Sequence, residues 1–250
     1  MADTLKGKAY VVTGASEGIG FAIAKRLVDD GAQVFITGRR ESALAEAAAA
    51  IGGAIIPVRA DSGNVSDIGA AFARIAQDAP AIDGLVVSAG IVGGGVLGHV
   101  GEAEFDRIFA VNAKGTLFTV QYALPLLRDG SSIVVMSSVH GLKGNPGSSV
   151  YSATKAAIRS FARNWIIDLA DRRIRVNVVS PGAIRSEGFD RLFPNDEMRG
   201  QVIAHLASMA PSRRIGMPKD VADTVRFLLD DQSSFINGAD IHVDGGMAQI

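Results

Sequence analysis

Cysteine is absent from the 250 residues. That excludes disulfides, thiolate nucleophiles and zinc sites built on thiolates. Histidine is sparse. His99, His140, His205 and His242 are scattered and lack metal-ligand spacing, so no metal site is expected. No run of 18 apolar residues exists, and the opening "MADTLKGKAYVVTGASEGIG" has no apolar segment ending at a cleavage site. Neither a membrane span nor a signal peptide is expected, and a cytoplasmic location is the default reading. Charge of one sign is also lacking. With 25 basic and 26 acidic side chains the net charge is −1, so no nucleic-acid or membrane partner is indicated.

Apolar residues are plentiful, at 48% with a mean hydropathy of +0.23, which excludes disorder as the general state. They fall in short β-branched runs at 9–13, 33–37, 54–58, 84–88, 132–137, 174–180 and 240–244. Such nearly continuous apolarity suits strands buried on both faces. Helical stretches lie between them, at about 18–30, 41–51, 65–79, 102–128, 150–171 and 218–230. This alternation predicts one α/β domain over 1–250: a doubly wound, Rossmann-type fold with a parallel seven-stranded sheet and helices on both faces. Residues 183–217 interrupt the alternation. They follow the sixth strand, at the sheet edge where open α/β folds bind ligands, and are expected to form a substrate lid.

Between the first strand and first helix stands "VVTGASEGIG". Gly14, Gly18 and Gly20 permit a tight turn and close approach of a diphosphate, with the helix N–H groups facing the phosphates. The spacing Gly-x-x-x-Gly-x-Gly is wider than the usual dinucleotide fingerprint. At the end of the second strand an NAD enzyme would carry Asp or Glu for the ribose 2′-hydroxyl. This chain has Gly38, Arg39 and Arg40 there. A guanidinium fork suits a 2′-phosphate, and Ser16 could add a hydroxyl. NADP is therefore expected over NAD, although Glu17 places an opposing charge nearby.

In "VYSATKAAIRSF" (150–161), Tyr151 and Lys155 stand four residues apart. They share one face of a helix. An unperturbed tyrosine titrates near 10, and a nearby ammonium favours its phenolate. The pair thus suits a proton shuttle working near neutral pH.

With "TGASEGIG" (13–20), Asp61, "SAG" (88–90), "NAKG" (112–115), Ser138, "YSATK" (151–155), "SPGAIRS" (180–186) and "VDGG" (243–246), the whole chain resembles a classical short-chain dehydrogenase/reductase. The resemblance implies hydride transfer between nicotinamide and a small alcohol/ketone substrate. It implies that Tyr151 is the general acid/base, that Ser138 bonds the same substrate oxygen, and that Lys155 holds the nicotinamide ribose and lowers the tyrosine pKa. Asn112 is implied to anchor a water linking Lys155 to solvent. For the cofactor it implies Gly14, Ser16, Gly18, Ile19, Gly20 and Arg39, with Asp61 and the Ser62 N–H at adenine. Ser88, Ala89 and Gly90 would lie along the adenosine ribose, and Pro181, Gly182, Ile184 and Ser186 near the nicotinamide amide.

Three departures stand out. Ser88 replaces the family's usual Asn, a shorter side chain that could loosen its loop. Ser186 replaces Thr. His140 is less usual two residues after Ser138, and a plain loop position is favoured for it over one facing substrate. Two other readings stay open: a catalytically idle nucleotide-sensing regulator on this fold, and an extended-type sugar-nucleotide-modifying enzyme. The helices at 102–128 and 150–171 carry more apolar residues than one buried face needs, including Phe118, Tyr122, Phe161 and Trp165. With the resemblance, this predicts a homotetramer. Arg172, Arg173 and Arg175 are expected to form an exposed helix end rather than a docking patch for a carrier-linked acyl substrate.

Overall fold

Each apolar run becomes a strand in the computed structural model, which describes residues 4–191 and 193–250. The strands are β1 (Ala9–Thr13), β2 (Gln33–Gly38), β3 (Ile55–Arg59), β4 (Ile82–Val87), β5 (Leu127–Met136), β6 (Arg175–Pro181) and β7 (Asp240–Val243). They form one seven-stranded sheet in the order β3-β2-β1-β4-β5-β6-β7, and every pairing is parallel. The order reverses between β1 and β4, which opens a crevice at their carboxyl ends.

The helices are α1 (Gly18–Asp29), α2 (Glu41–Ile51), α3 (Val65–Asp78), α4 (Glu102–Phe109), α5 (Gly115–Ala123), α6 (Ser149–Asp168), α7 (Glu187–Asp190), α8 (Asp196–Met209) and α9 (Pro218–Leu229). Side chains alternate across the sheet, so successive strand residues enter opposite cores. Val11, Phe35, Leu85 and Ile133 pack with Ile68 and Phe72 of α3, Val120 of α5 and Ile158 of α6. Tyr10, Val12, Ile36 and Val134 pack on the other face with Ile23 and Leu27 of α1, Leu44 of α2 and Val225 of α9.

The expected helix over 102–128 is interrupted. A π-helical turn, Ala110–Lys114, separates α4 from α5, and α5 stops at Ala123. Pro125 explains the early stop, because its ring disfavours helical conformation in the residue before it and it has no N–H to donate. The arginine cluster also departs from an exposed helix end. Arg172 donates to the Leu124 carbonyl and to Asp129. Arg175 is buried and donates to the carbonyls of Leu228 and Asp230. Two of the three guanidiniums are therefore spent on backbone carbonyls.

The excursion after β6 is closed at its base by a parallel bridge between Ile184 and Gly216. Its longer helix, α8, buries no residue. No described helix is long and apolar enough to cross a membrane.

Candidate active site

The carboxyl ends of β1, β4, β5 and β6 surround the crevice, and the residues singled out in the sequence arrive there for local reasons. Gly14 has φ +64°, and a Cβ on it would lie 2.6 Å from the Cα of Ala89. A Cβ on Gly20 would lie 2.3 Å from the Gly14 carbonyl oxygen. Both glycines are thus required by the packing of the chain on itself. Gly18 differs. It has room for a Cβ but takes φ +61° at the first turn of α1. Its N–H donates to the Glu187 carboxylate at 3.3 Å, so an anion from the excursion already stands at the helix N-terminus. Ile19 is half-buried and packs against the α1 core.

The loop after β4 is held by Thr13, the residue that opens "TGASEGIG". Thr13 Oγ1 accepts from the N–H of Ser88 and of Ala89, each at 3.1 Å. The loosening expected from Ser88 is countered by these backbone bonds. Thr13 is buried at the end of β1, and its signal was a hydroxyl in an otherwise apolar strand. Gly90 follows, and a Cβ there would lie 3.3 Å from Lys155 Nζ and 3.5 Å from Asn112 Oδ1. The cofactor-side loop and the chemical residues therefore meet at Gly90.

Asp61 Oδ1 accepts from the Gly63 N–H at 2.8 Å, while Asn64 rather than Asp61 caps α3. The Ser62 carbonyl oxygen would be 2.1 Å from a Cβ on Gly115, which explains the glycine of "NAKG". Pro181 ends β6 opposite Val243. The Gly182 N–H donates to the Val243 carbonyl at 3.0 Å. Ile184 packs its side chain into the core, and its backbone is bridged to Gly216. Ser186 Oγ caps α7 by accepting from the Phe189 N–H.

Ser138 lies two residues beyond β5, and α6 is stitched to that strand end. Lys155 Nζ donates to the Met136 carbonyl at 2.9 Å, and Ser137 Oγ donates to the Lys155 carbonyl at 2.9 Å. Lys155 is 5% exposed, and burial pushes its pKa down to about 8. Its ammonium lies 5.6 Å from the centre of the Tyr151 ring. Burial raises the Tyr151 phenol above its usual value, and the neighbouring Ser138 hydroxyl offsets only part of this. In the protein alone desolvation is the larger influence on the phenol.

Asn112, the residue implied to anchor a water, has its side chain engaged by protein groups. It lies in the π-helical turn and is fully buried. Oδ1 accepts from the Ile91 N–H at 2.8 Å, and Nδ2 donates to the Ile91 carbonyl at 2.9 Å and to Thr154 Oγ1 at 3.2 Å. Both amide hydrogens are used, so the side chain is a strut between the β4 loop and α6, with one lone pair left on Oδ1. Thr154 completes the strut by donating to the Tyr151 carbonyl at 2.7 Å.

His140 lies in a short 3₁₀ turn, Val139–Gly141. It is more than a loop filler. Its ring stands edge-on to Tyr151 at 5.7 Å between centroids. Its Nδ1 is buried without a hydrogen-bond partner among the described residues, and burial lowers its pKa. Gly141 allows this approach, since a Cβ there would be 3.1 Å from the Lys155 backbone.

Arg39 and Arg40 are both exposed at the end of β2. Arg40, rather than Arg39, joins Ser16 and Glu17 in a surface cleft, with Arg40 Nη2 3.6 Å from Glu17 Oε2. No group of three or more metal-ligating side chains occurs among the described residues.

A positive-φ glycine at a helix N-terminus, a switch-point crevice and a Ser/Tyr/Lys cluster define a dinucleotide-binding oxidoreductase. The chain belongs to the short-chain dehydrogenase/reductase family, and it is an oxidoreductase. The family profile described as Enoyl-(Acyl carrier protein) reductase matches residues 14–248. Oxidoreductase asL5 of Sarocladium schorii is 38% identical over 248 residues, covering 98% of each chain. The 3-oxoacyl-[acyl-carrier-protein] reductase FabG of Staphylococcus aureus (strain Mu50) is 36% identical over 246 residues, covering 96% of this chain and 98% of its own. Among solved structures, the angucycline C-6 ketoreductase LanV with bound NADP superposes with a TM-score of 0.91 at 33% identity, covering 100% of this chain and 99% of its own. The family binds NAD(P).

Proposed function

We propose that this oxidoreductase interconverts a ketone and an alcohol with NADP(H), and that Tyr151 exchanges the proton with the substrate oxygen. The observation that carries this reading is the gathering of Tyr151 and Lys155 of α6 beside Ser138 at the end of β5, with the Lys155 ammonium bonded to the Met136 carbonyl and 5.6 Å from the centre of the Tyr151 ring. Two hydroxyls directed at one point can bind a carbonyl oxygen, and a protonated phenol can donate to that oxygen as it gains charge. Bound nicotinamide supplies the hydride acceptor or donor at C4. Lys155, fixed to the Met136 carbonyl, is placed to hold the nicotinamide ribose. In the oxidative direction its ammonium helps the phenol yield a proton.

The cofactor residues fit the same reading. Gly18 offers an N–H to an anion, and the cleft beside Ser16 contains Arg40 and Arg191. Names among the relatives, FabG and the ketoreductase LanV, describe carbonyl reductions, and LanV carries NADP. The substrate wall we assign to residues 92–100 and to the 183–217 lid. Val92, Val96 and Leu97 are exposed on the first. That loop abuts the segment after His140, since a Cβ on Gly94 would lie 2.9 Å from the Gly147 carbonyl oxygen. An apolar ketone suits such a wall.

A homotetramer in the cytoplasm completes the proposal. Phe161 and Trp165 stack on each other and are partly buried, and Trp165 and Phe118 pack against the core. Phe105, Tyr122 and Ile167 stay exposed on α4, α5 and α6, so an apolar face remains for a partner. Light scattering at micromolar concentration should give a multiple of 26.0 kDa, and a single-chain mass would refute the assembly.

The functional test is a panel of ketones, alcohols and enoyl thioesters assayed with NADPH and NADH by absorbance of the reduced nicotinamide. Turnover of ketones, faster with NADPH, is expected. Turnover of C=C bonds alone would overturn the reading, because reduction there requires a proton at carbon rather than at oxygen.

A further inference from the structure

The excursion after β6 touches the glycine loop through charged groups that the catalytic reading does not use. Arg191, just beyond α7, places Nη2 2.6 Å from Glu17 Oε1. Glu17 Oε2 faces Arg40 Nη2 at 3.6 Å. One carboxylate therefore holds two guanidiniums that come from opposite sides of the cleft. Glu187, at the start of α7, accepts from the Gly18 N–H. Ser16 belongs to the same cleft, and its Cβ is 3.7 Å from the position a Cβ would take on Gly38. The cluster thus sits where the glycine loop meets the end of β2, the place that distinguishes a ribose 2′-hydroxyl from a 2′-phosphate.

We propose that Arg191 is a cofactor-specificity residue. In this inference, which rests on the NADP reading above, Glu17 is a resident counter-anion that gives up Arg191 and Arg40 to the 2′-phosphate. Arg191 supplies half of the positive charge in the cleft. The cleft is lined by two arginines, Arg40 and Arg191, against three carboxylates, Glu17, Glu46 and Glu187. Without Arg191 one arginine would face three carboxylates, a poor site for a dianion. The existing pairs are easily given up. Arg191 is 58% exposed, Arg40 67% and Glu17 37%, and ion pairs this open to solvent contribute little stability. A phosphate offers three acceptor oxygens and about twice the charge, so it is the better partner for two forks. The same exchange frees Glu187 from Gly18 and couples the first turn of the excursion to the cofactor.

The test is calorimetric binding of 2′,5′-ADP and 5′-AMP to the full chain, which reads affinity without turnover. Wild type should prefer 2′,5′-ADP. Arg191→Met should weaken 2′,5′-ADP about threefold to tenfold, the exposed end of the range for a charge-assisted bond, and leave 5′-AMP within about twofold. Arg191→Lys should recover part of the loss, which controls for folding. Glu17→Gln should tighten 2′,5′-ADP severalfold. If wild type prefers 2′,5′-ADP but Arg191→Met changes neither ligand, or both equally, the inference fails and the NADP reading stands. If wild type shows no preference and Glu17→Gln weakens 5′-AMP, Glu17 serves the ribose hydroxyl, and both fail.

Discussion

The two rims of the crevice are built on opposite principles. At the β5–α6 rim, Lys155, Asn112 and Thr154 are all within 5% of full burial, and each polar atom that matters is bonded to a segment far away in sequence. At the β1–β2 rim, Arg39, Arg40, Glu17 and Arg191 are open to solvent, and their ion pairs are exposed. The first arrangement fixes positions within tenths of an ångström, as proton transfer requires. The second offers charges that can change partner. On the proposed function, the rim that carries the chemistry is rigid and the rim that selects the cofactor is adjustable.

The contrast breaks first at Tyr151. Tyr151→Phe removes the hydroxyl and keeps the ring that stands edge-on to His140. Loss of general acid/base catalysis should lower kcat about 10²–10⁴-fold, while NADPH binding, read by quenching of Trp165 fluorescence, stays within about twofold. Retention of more than about a tenth of the wild-type rate would remove Tyr151 from the reaction.

The strut is the next largest target. Asn112→Ala leaves the half-buried Ile91 N–H and carbonyl without their partners. A fully buried orphan group costs about 1–3 kcal/mol, and with water able to reach part of this site urea unfolding should show a total loss of about 1–3 kcal/mol. The same change at an exposed rim residue, Arg40→Ala, should cost less than about 0.5 kcal/mol. Equal losses would mean that the two rims are not mechanically distinct.

The rigid rim was the more legible in sequence. The fold followed from strand runs buried on both faces, which leave a pattern that does not depend on any ligand. Tyr151 and Lys155 were legible because helix spacing alone brings them together. The strut was not, because Asn112 acts through a π-helical turn, and helical periodicity carries no sign of an extra residue in a turn. The hold of Thr13 on the β4 loop was not legible, since a single hydroxyl in an apolar strand has many readings. The burial that raises the Tyr151 phenol was not legible, because burial is a property of the packed structure, while the attraction of Lys155 follows from spacing. Arg191 lay beyond reach for the simplest reason: it meets Glu17 across 174 positions of chain.

Cofactor preference sharpens the comparison at the soft rim. Arg39→Asp should weaken NADPH relative to NADH about tenfold to hundredfold, the value of a charge-assisted phosphate contact. Thermal stability should hardly change, since Arg39 is exposed. An unchanged NADPH/NADH ratio of kcat/KM would reduce Arg39 to a solvated helix start and leave Arg40 and Arg191 as the phosphate ligands.

The smallest effect is expected at His140, and it belongs to the rigid rim. Burial lowers its pKa in the folded protein, whereas in the unfolded chain it titrates near 6.5. Below that pH the unfolded chain binds a proton that the folded protein resists, so stability is retained above about pH 6.5 and falls as pH drops toward the folded value. The groups facing the ring on this side are Tyr151 and the Ser138 turn, neither of which ionises in that window. His140→Asn removes the titration. Between pH 7 and 5 the wild type should therefore lose more unfolding free energy than the variant, by a fraction of its total stability. Parallel curves would show that His140 is protonated in the fold without penalty, and that the edge-on contact with Tyr151 is looser than the rest of this rim.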